Sequence, residues 1–270
     1  GIILMWGYGV SFWRRSIDMP CRRRSLQTAA HDARHAAVCP MEEVYALRIR
    51  VRFRKYDVMK YVGHLDLMRY FQKAIRRSRI PIRYSEGYSP HQILSFAAPL
   101  GVGLTSDGEY MELLLDSDIS EIDTDELVKN LNAQMAYGVE IVSAHILPDS
   151  AKNAMASLAA AGYRVTYRDK APFLDAAAAK KSLREFYAPG RSIIVTKKTK
   201  KSERTLDIAP LIYEFTANDD RGKIYFDMLV SAGSTENIRP ELVVETFHTY
   251  LGLPFSVNDI AIHRDRKSVV

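Results

Sequence analysis

The run Leu47-Arg-Ile-Arg-Val-Arg-Phe-Arg54 alternates apolar residues and arginines without a break. Successive side chains of a strand point to opposite faces, so an extended chain sends Leu47, Ile49, Val51 and Phe53 into a core. Arg48, Arg50, Arg52 and Arg54 then share the other face, about 7 Å apart along the strand. Four guanidinium groups so placed repel one another, and something negative must lie over them. Two sources stand open. RNA would supply phosphates and bases, as it does on the open sheet of many small RNA binders. Neighbouring strands would instead supply Glu112, Asp116 and Glu140 as cross-strand partners. The arginine positions lack the stacking aromatic pair of an RNA-recognition-motif sheet, which argues against that mode.

The elements after this strand repeat in order. The face Leu67, Met68, Phe71, Ala74 and Ile75 predicts a helix over Leu65 to Ser78. Short extended pieces at Pro81 to Tyr84 and Ile93 to Phe96 follow, then a strand over Glu109 to Asp116. A helix over Thr124 to Met135, capped by Asp123 or Thr124, and a strand over Gly138 to Leu147 complete the set. After an Ala/Ser-rich connector, strands are predicted at Tyr163 to Arg168, Ser192 to Thr199, Lys223 to Ser231 and Val257 to His263. Helices are predicted at Ala176 to Tyr187 and at Pro240 to Leu251, where proline suits the first turn. Two successive βαββαβ units make the expected fold class α+β, two tandem ferredoxin-like domains. The expected boundaries are an arm over residues 1–40, domain 1 over 41–148, a connector over 149–160 and domain 2 over 161–270.

The arm stands apart by composition. Both tryptophans and both cysteines of the chain fall before Met41, along with six arginines against Asp18 and Asp32. Its apolar stretch is too short to span a bilayer, and its arginines follow rather than precede that stretch, so no membrane segment or signal peptide is expected. His31 and His35 have the i, i+4 spacing of zinc-binding helices. Asp32 stands where a zincin has Glu, however, and the paired cysteine spacings of a finger are missing, so no metal site is expected. Residues 41–270 contain no cysteine. That excludes an iron–sulfur cluster, a thiolate nucleophile or a disulfide there, and it predicts a cytoplasmic protein without a bound cofactor.

The net charge of +6 is modest, but it is blocked along the chain. Twelve Lys/Arg from Arg48 to Arg83 face only Asp57 and Asp66, whereas Tyr84 to Ser150 has twelve acids and only Lys129. Such a cationic block without interleaved acids fits a phosphate-backbone footprint, with Arg69, Lys73, Arg76, Arg77 and Arg83 joining the strand arginines. A second cluster, Lys197, Lys198, Lys200 and Lys201, lies between extended segments and is expected at a hairpin tip. Candidate acid/base groups are His64, at the start of the first helix, and His91, in the turn after Pro90. Asp66, Glu86 and Tyr88 are expected to organise the surrounding loops or to orient an imidazole.

The segments Gly63-His-Leu-Asp-Leu-Met-Arg69, Arg76-Arg77, Glu86-Gly-Tyr-Ser-Pro-His91, Ser95-Phe-Ala-Ala-Pro-Leu100 and Gly108-Glu-Tyr110 resemble the radical-SAM-linked bacterial domain family of unknown function. The likeness runs from about Tyr45 to Ile238-Arg-Pro240. Tyr88-Ser89 stands where the family usually has Phe-Asn. The resemblance implies an intracellular partner of a radical SAM enzyme, with structured RNA, tRNA or rRNA, as the shared substrate; it supplies no catalytic residues. The reading that follows is a non-catalytic RNA-binding accessory protein. One alternative is a metal-free ferredoxin-like endoribonuclease using His64 and His91 with Arg69 or Arg83. The other is a protein-interaction subunit that docks its partner through the acidic region Asp116 to Glu126 without touching RNA.

Overall fold

The strand β1 (Ala46–Lys55) buries Ile49, Val51 and Phe53 and leaves its arginines half-exposed, as the alternation requires. The computed structural model describes residues 46–118, 121–169, 171–173, 175–198, 203–233 and 236–269. The expected arm, with His31 and His35, therefore lies outside the described residues. The strands and helices belong to one compact unit, Glu43–Val270.

In the first half, β1 leads to α1 (His64–Ser78), which buries Leu67, Phe71, Ala74 and Ile75 and ends where Arg79 turns left-handed at φ 58°. Then come β2 (Leu94–Phe96), β3 (Thr105–Asp116), α2 (Thr124–Asn132) and β4 (Val139–Ile146). The Asp123 carboxylate caps α2 by accepting from the amides of Asp125 and Glu126. In the sheet β1 lies between β3 and β4, antiparallel to both, and β2 pairs with the far edge of β3. Ile49, Val51, Phe53, Met111 and Leu113 meet Leu67, Phe71, Ile75, Leu127 and Leu131 in one core, so both helices cover one face.

The second half follows the one-turn helix α3 (Ala154–Ser157). It contains β5 (Leu158–Tyr167), α4 (Ala176–Phe186), β6 (Ile194–Lys198), β7 (Glu203–Asp207), β8 (Ile212–Asp220), β9 (Lys223–Ser231), α5 (Pro240–Leu251) and β10 (Ile260–Val269). Its strand order is β10-β5-β9-β8. Counting strands within each half and setting β6 and β7 aside, this repeats the order of the first half. Val165, Phe226, Val230 and Ile262 pack against Leu183, Phe186, Val243 and Phe247 in a second core.

Two expectations need correction. Ser192 to Thr199 is expected to be a strand of the second sheet. Its extended part, β6, pairs instead with β7 in a separate two-stranded hairpin, and β8 takes the expected place beside β9. β8 escapes sequence reading because it is an edge strand: it buries only Ile212, Phe215 and Ala217, and a bulge between Ile212 and Glu214 breaks its alternation. The halves also do not keep separate sheets. Among the described residues, β10 pairs in parallel with β3 at His263↔Thr105 and Arg264↔Ser106, so eight strands form one mostly antiparallel sheet. β3 can serve both neighbours because its twelve residues exceed the reach of the three-residue β2. β2 takes Met111 to Leu113, and β10 takes Thr105 and Ser106.

Candidate nucleic-acid interface

On the sheet face away from the helices, each β1 arginine has an acceptor from the protein. Arg48 donates to the Ala151 carbonyl, although its Nε is buried with no hydrogen bond. Arg50 donates through Nε and Nη2 to one oxygen of Glu112 at 3.1 and 2.7 Å, and also to the Lys152 carbonyl at 3.0 Å. Arg52 caps the Asp107 carbonyl at 3.2–3.3 Å. Arg54 stands between Glu140 at 3.4 Å and Asp107 at 3.5 Å. Strand register produces these pairs, because Arg50 lies opposite Glu112 on β3 and Arg54 opposite Glu140 on β4. Each β1 arginine thus has an acceptor within the protein, a carboxylate for Arg50 and Arg54 and a backbone carbonyl for Arg48 and Arg52. Asp116, however, pairs with Arg83 at 3.2 Å rather than with a β1 arginine.

The pattern continues across the junction. His263 on β10 bonds Thr105 Oγ1 through Nδ1 at 2.8 Å, and its Nε2 lies 3.3 Å from Asp107 and 3.5 Å from Asp265. On β5, Arg164 pairs with Asp227 at 2.8 Å and stacks over the Tyr225 ring at 4.6 Å from its centroid. Carboxylates and cations thus alternate from β4 to β9.

On the opposite face, at the boundary of the two cores, Arg264 bonds Glu109 at 3.1 Å and the Tyr163 hydroxyl at 3.0 Å, all three nearly buried. Burial works against the Arg264 charge, and Glu109 and Tyr163 more than offset it, so its pKa is raised further. The nearby Lys55 is fully buried and donates to the Val62 carbonyl at 2.7 Å. Burial pushes its ammonium below the ordinary pKa, against the pull of Glu109. Neither His263 nor this buried group stands out in the sequence. Their local patterns are those of ordinary strands, and the signal is a pairing between positions 158 residues apart.

The α1 cations have a different setting. Since α1 packs on the core side of β1, its outward residues and the β1 arginines lie on opposite sides of the sheet. The expected single surface combining the two sets does not form. Arg69, Lys73, Arg76 and Arg77 are exposed. Arg69 reaches Asp66 at 3.3 Å with both side chains 70% exposed, and Arg77 is tied to Gln134. Lys73 and Arg76 have no ion pair or side-chain hydrogen bond among the described residues. Lys197 and Lys198 end β6, while Lys200 and Lys201 lie outside the described residues.

The two candidate imidazoles have separate surroundings. His64 sets its ring edge-on to Phe96, with centroids 5.3 Å apart. His91 bonds Ser85 Oγ through Nδ1 at 2.8 Å, and the Ser85 amide donates to the His91 carbonyl at 2.8 Å, closing the neck of the turn. Glu86 and Tyr88 are exposed within that turn. Among the described residues no hydrogen bond links either imidazole to the other, to Arg69 or to Arg83, and Asp66 orients Arg69 instead. In the acidic region, Asp116 holds Arg83, Glu121 accepts from Ser117 and Asp123 caps α2. No group of three His, Cys, Asp or Glu side chains among the described residues is placed to hold a metal ion. No helix among them is long and apolar enough to cross a membrane.

No curated protein matches this sequence. Among solved structures, a chain from the crystal structure of a Cbf5-Nop10-Gar1 complex is similar over 81% of this chain and 48% of its own length, at 11% identity and a TM-score of 0.41. This chain therefore spans about half the length of that one. An unknown protein from Galdieria sulphuraria is similar at 13% identity, covering 84% of this chain and 100% of its own, with a TM-score of 0.23. The model of a family described as an uncharacterised protein conserved in bacteria (DUF2344) matches residues 48–240, well over half of the chain, and the chain belongs to that family.

Proposed function

We propose that this chain is a non-catalytic RNA-binding accessory protein, built from two ferredoxin-like halves and contacting phosphates with the outer face of α1. The repeated strand order supports the description of the halves. One observation carries the functional reading: the strand arginines are matched by the protein's own acceptors, whereas Lys73 and Arg76 are exposed and unmatched between Arg69 and Arg77. A row of cations on one helix without interleaved acids is unusual for a merely solvated surface, where mixed signs are preferred. A polyanion is the partner that uses it. The radical SAM part of the reading, a shared structured RNA such as tRNA or rRNA, rests on the sequence segments around Gly63 to Arg69 and Glu86 to His91.

The test is tRNA binding by the full chain between about 50 and 200 mM salt. Replacing Arg69, Lys73 and Arg76 together by Gln should weaken binding and flatten the log–log salt dependence, by about one unit for each phosphate that the variant no longer neutralises. An unchanged slope would refute the α1 surface. Co-purification of the tagged chain with a radical SAM protein from its own host tests the partnership separately.

A further inference from the structure

The N-terminal end of α1 carries an apolar cluster that neither core absorbs. Tyr61 is 67% exposed, Leu65 62% and Val102 61%. The Gly103 amide donates to the Lys60 carbonyl at 2.8 Å, which clips the Gly101 to Gly103 loop to the turn before α1. Val102 Cγ2 consequently lies 3.8 Å from where a Cβ on Gly63 would stand. The Lys60 ammonium sits 5.1 Å from the Tyr61 ring centroid, adding a cation to the same spot. Exposed apolar side chains gathered in this way mark a contact surface more often than isolated ones do.

This cluster is continuous with the cationic row. At 3.6 residues per turn, Leu65, Arg69, Lys73 and Arg76 fall within an arc of about 80° and along about 16 Å of helix. Resting on the RNA-binding function proposed for α1, we infer that the RNA taken up is unpaired: its phosphates follow Arg69, Lys73 and Arg76 while a base stacks on Tyr61 beside Leu65 and Val102. A duplex keeps its base faces buried in the stack and presents phosphates to such a helix, so it would use the cations and leave the apolar cluster empty. An unpaired strand uses both, which is the pairing of basic track and aromatic platform found where single strands bind. An acidic protein segment would match the charges too, and competition by polyglutamate separates it from an RNA strand.

The experiment is fluorescence anisotropy of the full chain with a labelled twelve-nucleotide RNA, single-stranded or annealed to its complement, at one salt concentration. The single strand should bind about ten-fold tighter or more than the duplex. Tyr61→Ala should lower single-strand affinity about ten-fold with an unchanged salt slope, and Tyr61→Phe should restore it. Circular dichroism checks that each variant is folded. Equal affinity for the two RNAs, or a neutral Tyr61→Ala beside a damaging loss of the α1 cations, overturns the unpaired-strand inference and leaves RNA binding standing. Failure of the unmodified chain to bind any RNA overturns both readings. Displacement of the single strand by polyglutamate at equal charge would mark an acidic protein docking face and overturn the inference as well.

Discussion

β1 and α1 are both arginine-rich, lie fewer than ten residues apart and pack against each other, yet their cations meet different fates. β1 is interior to the sheet, with β3 and β4 paired along its two edges, and the register sets Glu112 and Glu140 opposite Arg50 and Arg54. Among the described residues α1 has no strand beside its outer face, and Lys73 and Arg76 are exposed. A cationic block followed by an acidic block therefore cancels where strands pair and persists where a helix faces outward. Position in the sheet decides how much charge is left to a partner.

Arg264 occupies a third, deeper setting, and substitutions should grade the three. Arg264→Ala removes a partner of Glu109, whose side chain is 3% exposed, and should cost about 3–5 kcal/mol in urea unfolding. A cost below about 1 kcal/mol would show that burial and pairing at the core boundary do not set the scale. Arg50→Ala strands Glu112, 8% exposed in its side chain, and should cost about 2–3 kcal/mol. Replacing both members by leucine should recover most of that loss, since an apolar pair avoids the desolvation of two charges.

Arg54 is 42% exposed in its side chain and water screens its pairs with Glu140 and Asp107, so Arg54→Ala should change unfolding by no more than about 1 kcal/mol. Arg76→Gln should alter stability by less than about 0.5 kcal/mol while weakening RNA binding at low salt. A larger stability loss at Arg76 than at Arg54 would break the contrast between the two elements.

Much of this fold is legible from local pattern. The alternation around Val51, the apolar face of Leu67, Phe71 and Ile75, the Asp123 cap and Pro240 at a helix start each depend on a few consecutive residues. β8 is not legible, because Glu214, Asn218, Asp219 and Asp220 make an edge strand read as a loop. The joining of the halves is not legible either, since nothing near His263 or Thr105 specifies the other. The candidate site divides in the same way. That Lys73 and Arg76 are exposed follows from helical periodicity. Whether Arg50 meets a phosphate or Glu112 depends on strand neighbours that its own segment does not name. His64 and His91 stand out as titratable residues near turns, but Phe96 and Ser85 engage them separately.

The two-residue parallel pairing of β3 with β10 also bears on the timing of assembly. Once the ribosome has released the chain through Ile146, β1 to β4 have one another as partners and that core can close. The Thr105 end of β3 must then wait for a strand more than a hundred residues downstream, while β5, β9 and β8 are still being made. Until β10 arrives, that stretch is an uncapped sheet edge, the kind of surface that recruits a wrong strand. The slow step of folding is accordingly expected to be a late, long-range closure rather than formation of either core, because loop entropy must be overcome before the junction contributes its contacts.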